Sequence, residues 1–236
     1  MLKRVRLPLQ RFLAPIGSAL AARGVSPNTV TVVGTLAVVA AALALYPRGE
    51  LFWGSLVISI FVCLDMVDGA LARAAGRTGR WGAFLDSTMD RIADAAIFGG
   101  LTWWFADGGH QPWLAGLSLF CLAAAMLVSY TRARAEGLGL RGDVGIAERT
   151  ERLIVVLVAM GFGDLGVPYL QAIGLWVLAV ATAITVVQRV VAVYHQARTG
   201  EPAPSPAQPA APGETHITEA AEAPPVGGPR PRLFAR

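Results

Sequence analysis

Five aspartates fall within one short stretch of the chain at helical spacings. Asp65 and Asp68 stand i, i+3 and share a face with Ala72, while Asp86, Asp90 and Asp94 line another face at i, i+4, i+8. Both groups sit in otherwise apolar sequence, where each ionised side chain costs at least about 2.5 kcal/mol on insertion scales. Carboxylates on facing helices also repel one another, so a positive charge must sit between them. The cluster contains no His or Cys, and hard oxygen ligands suit Mg²⁺, Mn²⁺ or Ca²⁺ rather than zinc. Two such ions about 3.5 to 4 Å apart, sharing carboxylates, form a clamp for a diphosphate. The spacing excludes an EF-hand, whose loop takes ligands from alternate positions.

The neighbouring residues fit that chemistry. Gly69 and Ala72 lack bulk beside the acids, so a phosphate or nucleotide can approach the helix backbone. Arg73 and Arg77 follow, placed to bind phosphate oxygens. Gly82, one turn before Asp86, serves either close helix packing or substrate approach. Asp94 extends the acidic face and is expected to partner Arg91 or another polar group.

The elements that carry these residues are apolar. Of 236 residues 54% are hydrophobic and 15% charged, with a mean hydropathy of +0.52, whereas soluble domains carry about 25% charged residues. Windows long enough to span a bilayer occur at about 29–47, 51–72, 83–106, 112–133, 151–166 and 168–194, the fifth being short. Eighteen of the 20 Lys and Arg fall on one side of these spans; Arg48 lies in an opposite loop and Arg91 within a span. An even number of spans with that asymmetry puts both termini in the cytoplasm. The isoelectric point near 9.6 therefore reports topology and contact with anionic lipid, not nucleic-acid binding.

Residues 1–25 begin like a signal peptide, but Pro8, Arg11 and Pro15 interrupt any apolar core, and the segment reads as an interfacial amphipathic helix. A six-helix catalytic domain is expected over 26–198 and a disordered Pro/Ala-rich tail over 199–236. Cys63 and Cys121 lie inside spans and form no C-x-x-C, so neither a disulfide framework nor a thiolate metal site is suggested. Ser26 and Asn28, in S-P-N-T-V-T, can cap the first span.

D-x-x-D-G-x-x-A-R, then eight residues, then G-x-x-x-D-x-x-x-D, resembles the signature of the CDP-alcohol phosphotransferases, membrane enzymes of phospholipid synthesis. Asp65, Asp68, Gly69, Ala72, Arg73, Gly82, Asp86 and Asp90 match it without departure. The resemblance implies an all-α integral membrane protein with six transmembrane helices around a cytoplasm-facing polar cavity, and a homodimer. It implies two Mg²⁺ ions, or Mn²⁺, held by Asp65, Asp68, Asp86 and Asp90, with Asp90 as the general base. It further implies that Asn28, Thr29, Val30, Thr31, Gly69, Ala72, Arg73, Thr78 and Gly79 bind CDP-diacylglycerol.

The acceptor alcohol is the remaining question, and a phosphorylated one needs its own arginines. Arg132 and Arg134 end the fourth span, Arg149 and Arg152 open the fifth, and Arg189 lies within the sixth. The first four can equally be positive-inside flanks, whereas Arg189 sits in apolar helix where an unpaired cation is costly. S-Y-T-R-A-R-A-E-G-L-G and A-E-R-T-E-R-L resemble actinobacterial phosphatidylinositol phosphate synthases over about residues 20–195. That implies inositol phosphate as acceptor, bound by Arg132, Arg134, Arg152 and Arg189, in the plasma membrane. The alternatives are a glycerol 3-phosphate acceptor, as in phosphatidylglycerol phosphate synthase, and a cation transporter whose carboxylates line an ion path.

Overall fold

The computed structural model describes residues 26–74 and 79–199, with the side chains of 27 and 65–74 excepted. The segments expected to form an interfacial helix (1–25) and most of the expected tail lie outside the described residues. The chain divides after Pro202, and every described residue falls in the first unit.

Among the described residues there are six α-helices and no strand. They are α1 (Pro27–Leu45), α2 (Leu51–Ala74), α3 (Arg80–Ala106), α4 (Pro112–Gly137), α5 (Arg149–Asp164) and α6 (Leu170–Thr199). The start of α1 follows from Ser26, whose Oγ accepts from the Thr29 N–H at 3.1 Å, and from Pro27, whose fixed φ suits the first helical turn. Ser26 alone caps: Asn28 lies inside the first turn, because Pro27 already begins the helix. The helix ends in a 3₁₀ turn, Tyr46–Arg48, closed by Gly49 at φ 81°. A side chain at Gly49 would be strained and would also stand 2.6 Å from the Trp104 ring.

Each helix packs against two others, so the order around the bundle is α1, α2, α5, α6, α4, α3 and back to α1. In that ring α3 and α5 stand opposite each other. At one end the contacts are close and apolar. Tyr46, fully buried, shares a 3.1 Å hydrogen bond with Ser55 across the α1–α2 hairpin. Asp164, at the end of α5, accepts the Phe52 N–H at 2.9 Å and so satisfies a free amide of α2's first turn. Ile58, Ile97, Phe98, Leu101, Phe105, Met160 and Leu175 fill the interior. Helices approach through small residues: a Cβ on Gly174 would lie 2.2 Å from Ala159 Cβ, and one on Gly100 would lie 2.7 Å from the Ala42 carbonyl oxygen.

The outer surface is the reverse of a soluble protein's. Leu36, Ile60, Phe120, Phe162, Trp176 and Val180 are all more than 48% exposed, a continuous apolar exterior that demands a non-aqueous surround. Among the described residues three helical segments, Asn28–Arg48, Pro112–Gly137 and Leu170–Thr199, are long and apolar enough to cross a membrane. In α2 the residues with described side chains end in an apolar run, Leu51–Leu64. The remaining two helices fall short for identifiable reasons. The first half of α3 carries Asp86, Asp90, Arg91 and Asp94. The 16 residues of α5 rise about 24 Å at 1.5 Å each, less than the 30 Å or so of hydrocarbon.

Candidate active site

Polar chemistry collects at the other end of the ring. The register of antiparallel α2 and α5 is set by Phe52 against Asp164 and by Ser55 beside Gly161. Because the two helices are antiparallel, the end of α2, which carries Asp65 and Asp68, and the start of α5, which carries Arg149, lie at the same end of the bundle. Arg149 in turn meets Asp90 of α3, so the backbone positions of both aspartate pairs share one end. The side chains of Asp65, Asp68, Gly69, Ala72 and Arg73, and all of Thr78, lie outside the described residues.

On α3 the three aspartates descend from surface to interior. Asp86 is exposed, the Asp90 side chain is 21% exposed, and that of Asp94 is 2% exposed. Asp90 Oδ1 receives Arg149 Nη1 at 2.9 Å, and Asp94 Oδ1 receives Arg149 Nε at 3.2 Å. Asp94 Oδ2 has Arg152 Nη2 at 3.6 Å and Arg91 Nη2 at 3.7 Å, but no hydrogen bond. Since α3 and α5 face each other across the ring, these guanidinium groups bridge its interior. Asp94 thus pairs with Arg91, as the sequence suggested, and with two arginines from the opposite helix as well.

The predicted arginines divide into two kinds. Arg152 and Arg189 are 3% and 4% exposed, deep among the helices. Arg152 Nη1 donates to the Ala147 carbonyl at 3.1 Å. Arg189 Nε donates to the Val144 carbonyl at 2.8 Å and Nη1 to that of Val128. Arg132 is half exposed and pairs with Glu136 at 2.8 Å, while Arg134 is exposed in the last turn of α4.

The segment joining α4 to α5 is stitched to α6. The Ala147 N–H donates to Thr185 Oγ1 at 3.0 Å, and Arg141 exchanges hydrogen bonds of 2.8 and 3.0 Å with Gln196. Gly145, at φ 139°, lies so close to α6 that a Cβ would stand 2.3 Å from Thr185 Cγ2. Only glycine accommodates both the conformation and the approach. This loop supplies the Ala147 carbonyl that holds Arg152 and the Val144 carbonyl that, with that of Val128 in α4, holds Arg189.

At the start of α1, Asn28 faces α3: its Oδ1 lies 3.4 Å from where a Gly82 Cβ would be. Thr29 bonds Ser26 through both its amide and its hydroxyl, and Gly79 precedes α3 as an exposed N-cap with open space beside it. Val30 and Thr31 follow Asn28 in the same helix. Sequence reasoning placed Arg149 in the arginine cluster, as a phosphate ligand or equally a flank, but left it out of the acceptor-site set and did not foresee its pairing with Asp90 and Asp94. Its i, i+3 relation to the buried Arg152 was the available signal.

Among the described residues no three metal-ligating side chains gather, since only Asp86 and Asp90 of the proposed ligands are described on their side chains. The donor set is all carboxylate oxygen, which fits a hard divalent ion.

A family model for CDP-alcohol phosphatidyltransferases matches residues 24–187. The chain therefore belongs to the CDP-alcohol phosphatidyltransferase family: it is a membrane-embedded, metal-binding transferase of phospholipid biosynthesis. It is 51% identical over 208 residues to a phosphatidylinositol phosphate synthase of Streptomyces avermitilis, covering 85% of each chain. With the synthase of that name from Mycolicibacterium smegmatis it shares 47% identity over 199 residues, 83% of this chain and 88% of the other. Its fold resembles the crystal structure of Mycobacterium tuberculosis phosphatidylinositol phosphate synthase with CDP-DAG bound, at TM-score 0.74 and 47% identity, covering 78% of this chain and 94% of that one. A second structure of that enzyme, in complex with manganese and citrate, gives TM-score 0.73 at 48% identity, covering 76% and 88%.

Proposed function

We propose that this chain transfers the phosphatidyl group of CDP-diacylglycerol to 1D-myo-inositol 3-phosphate, forming phosphatidylinositol phosphate and CMP. The observation that carries the acceptor is the pair Arg152 and Arg189, two guanidinium groups buried at the end of the bundle where the aspartates lie. Burying a cation in a membrane helix costs about 2.5–3.5 kcal/mol even by the mildest scale. A buried phosphate-binding arginine recovers that cost when its anion arrives. The names of the relatives, and the CDP-DAG complex of one of them, support the same reading.

In this mechanism Asp90 takes the proton of the acceptor hydroxyl. The acceptor oxygen forms a bond to the β-phosphorus, the bond from that phosphorus to the bridging oxygen breaks, and CMP leaves. Asp65, Asp68, Asp86 and Asp90 would hold two Mg²⁺ ions, with Mn²⁺ able to replace them. When bound, the ions neutralise the diphosphate and stabilise the charge on the departing phosphate. Asn28, Thr29, Val30, Thr31, Gly69, Ala72, Arg73, Thr78 and Gly79 hold the nucleotide and diphosphate. Arg134, Arg152 and Arg189, with Arg132 assisting, hold the acceptor's phosphate.

The same reading makes all six helices membrane spans around a polar cavity open to the cytoplasm. It makes 1–25 an interfacial amphipathic segment, 26–198 the catalytic domain and 199–236 a disordered tail. Both termini are cytoplasmic, the membrane is the plasma membrane, and two copies form a homodimer. A radiolabelled transfer assay offering inositol 3-phosphate and glycerol 3-phosphate separately tests the acceptor. Incorporation from inositol 3-phosphate is expected; incorporation only from glycerol 3-phosphate overturns the assignment.

A further inference from the structure

Asp94 lies outside the aspartate motif, yet among the described side chains of the site it is the most deeply buried acid and the centre of the ion pairs. Its carboxylate meets Arg91 on its own helix and Arg149 and Arg152 on the helix opposite. Arg149 spans from Asp94 to Asp90, so one side chain touches both the motif's last aspartate and the buried acid below it. Among the described side chains these ion pairs join three guanidinium groups, Arg91, Arg149 and Arg152, to two carboxylates, Asp90 and Asp94. The network is under-bonded: Asp94 Oδ2 and Arg91 Nε are buried and accept or donate no hydrogen bond.

A buried ion pair is weak evidence for stability, because the desolvation of both partners offsets their attraction. Here α3 and α5 stand opposite each other and are not neighbours in the ring, so the pairs do not reinforce an existing helix interface. What they do is hold two arginines extended into the interior, at the depth where the motif's last aspartate lies. We propose that Asp94 is the positioning residue of the acceptor site: it anchors Arg149 and Arg152 across the ring so that their remaining N–H groups meet the acceptor's phosphate. The two anchored guanidinium groups are then the feature that selects a phosphorylated alcohol over its unphosphorylated form. This inference rests on the assignment of Arg152 as an acceptor-phosphate ligand.

The test uses the full chain in detergent or nanodiscs, with Asp94→Asn, Asp94→Glu and, as reference, Arg152→Gln. Supporting groups of this kind typically contribute 10- to 100-fold. Asp94→Asn is expected to raise KM for the phosphorylated acceptor about tenfold or more, leave KM for CDP-diacylglycerol unchanged, and shrink the preference for the phosphorylated alcohol. Asp94→Glu, which keeps the charge, is expected to recover part of the loss. A merely structural role would lower Tm and the active fraction while leaving both KM values as they were. Unchanged acceptor KM in Asp94→Asn overturns the proposal; should that variant not fold, unchanged acceptor KM in Asp94→Ser, which also removes the charge, does so instead. Unchanged acceptor KM in Arg152→Gln overturns the underlying phosphate assignment. A rise there without one in the Asp94 variants removes the positioning role alone.

Discussion

The two ends of the helix ring are built on opposite principles. At the end around Tyr46 and Phe105, apolar side chains interdigitate, helices touch through Gly100 and Gly174, and the polar groups singled out there, Tyr46 with Ser55 and Asp164 with Phe52, are hydrogen-bonded. At the other end Asp94 Oδ2, Arg91 Nε and Glu151 Oε2 are buried without a hydrogen bond. Unsatisfied charged atoms oppose folding. The apolar end therefore supplies the stability that lets the charged end keep groups aimed at a ligand, and substitutions at the two ends should separate into distinct phenotypes.

The largest effect is expected from Asp90→Asn. Removing a general base typically lowers kcat by about 10²- to 10⁴-fold, so CMP release from CDP-diacylglycerol should nearly vanish while Tm holds. Full activity in that variant would remove Asp90 from the base role. Arg189→Lys comes next. An ammonium cannot reproduce the planar fork that serves the Val144 and Val128 carbonyls. KM for the acceptor should rise about tenfold, some 1.4 kcal/mol, with KM for CDP-diacylglycerol unaltered. At the apolar end the sign of the contrast reverses. Gly174→Ala forces a methyl against Ala159; overpacking of this kind costs about 1–3 kcal/mol, visible as a lower Tm with both KM values intact. The smallest expected change is in Asp164→Ala, which loses the acceptor for the Phe52 amide and about 1 kcal/mol of stability. A change in either KM from these last two variants would dissolve the distinction between the ends.

Much of this division was legible in the chain. The apolar windows located all six helices, and they erred in a consistent direction. Arg80–Ala106, Pro112–Gly137 and Leu170–Thr199 all run past their windows at the charged end. Hydropathy falls where the aspartates and arginines begin, but backbone hydrogen bonds continue through them. The aspartate spacing marked the face of α3, and Arg189 stood out because an apolar helix surrounded it. What stayed hidden depends on contacts between residues far apart in the chain. Arg149 read equally as a membrane flank because its partners, Asp90 and Asp94, lie more than fifty residues earlier. Gly145 carries no local sign that Thr185 presses on it, and Asp164 none that it completes α2. The cation-transporter alternative gave way to the family match, which spans both aspartate pairs.

The stitching of the α4–α5 segment to α6 has a consequence in time as well as in space. Residues 138–148 form no regular element, and such a stretch ordinarily exchanges its amide hydrogens quickly. The amides of Arg141 and Ala147 donate instead to Gln196 and Thr185, side chains rooted in α6. Their exchange can proceed only when the segment lifts from that helix. The lifetime of those two protons thus reports how long the carbonyls of Val144 and Ala147 stay in place beneath Arg189 and Arg152.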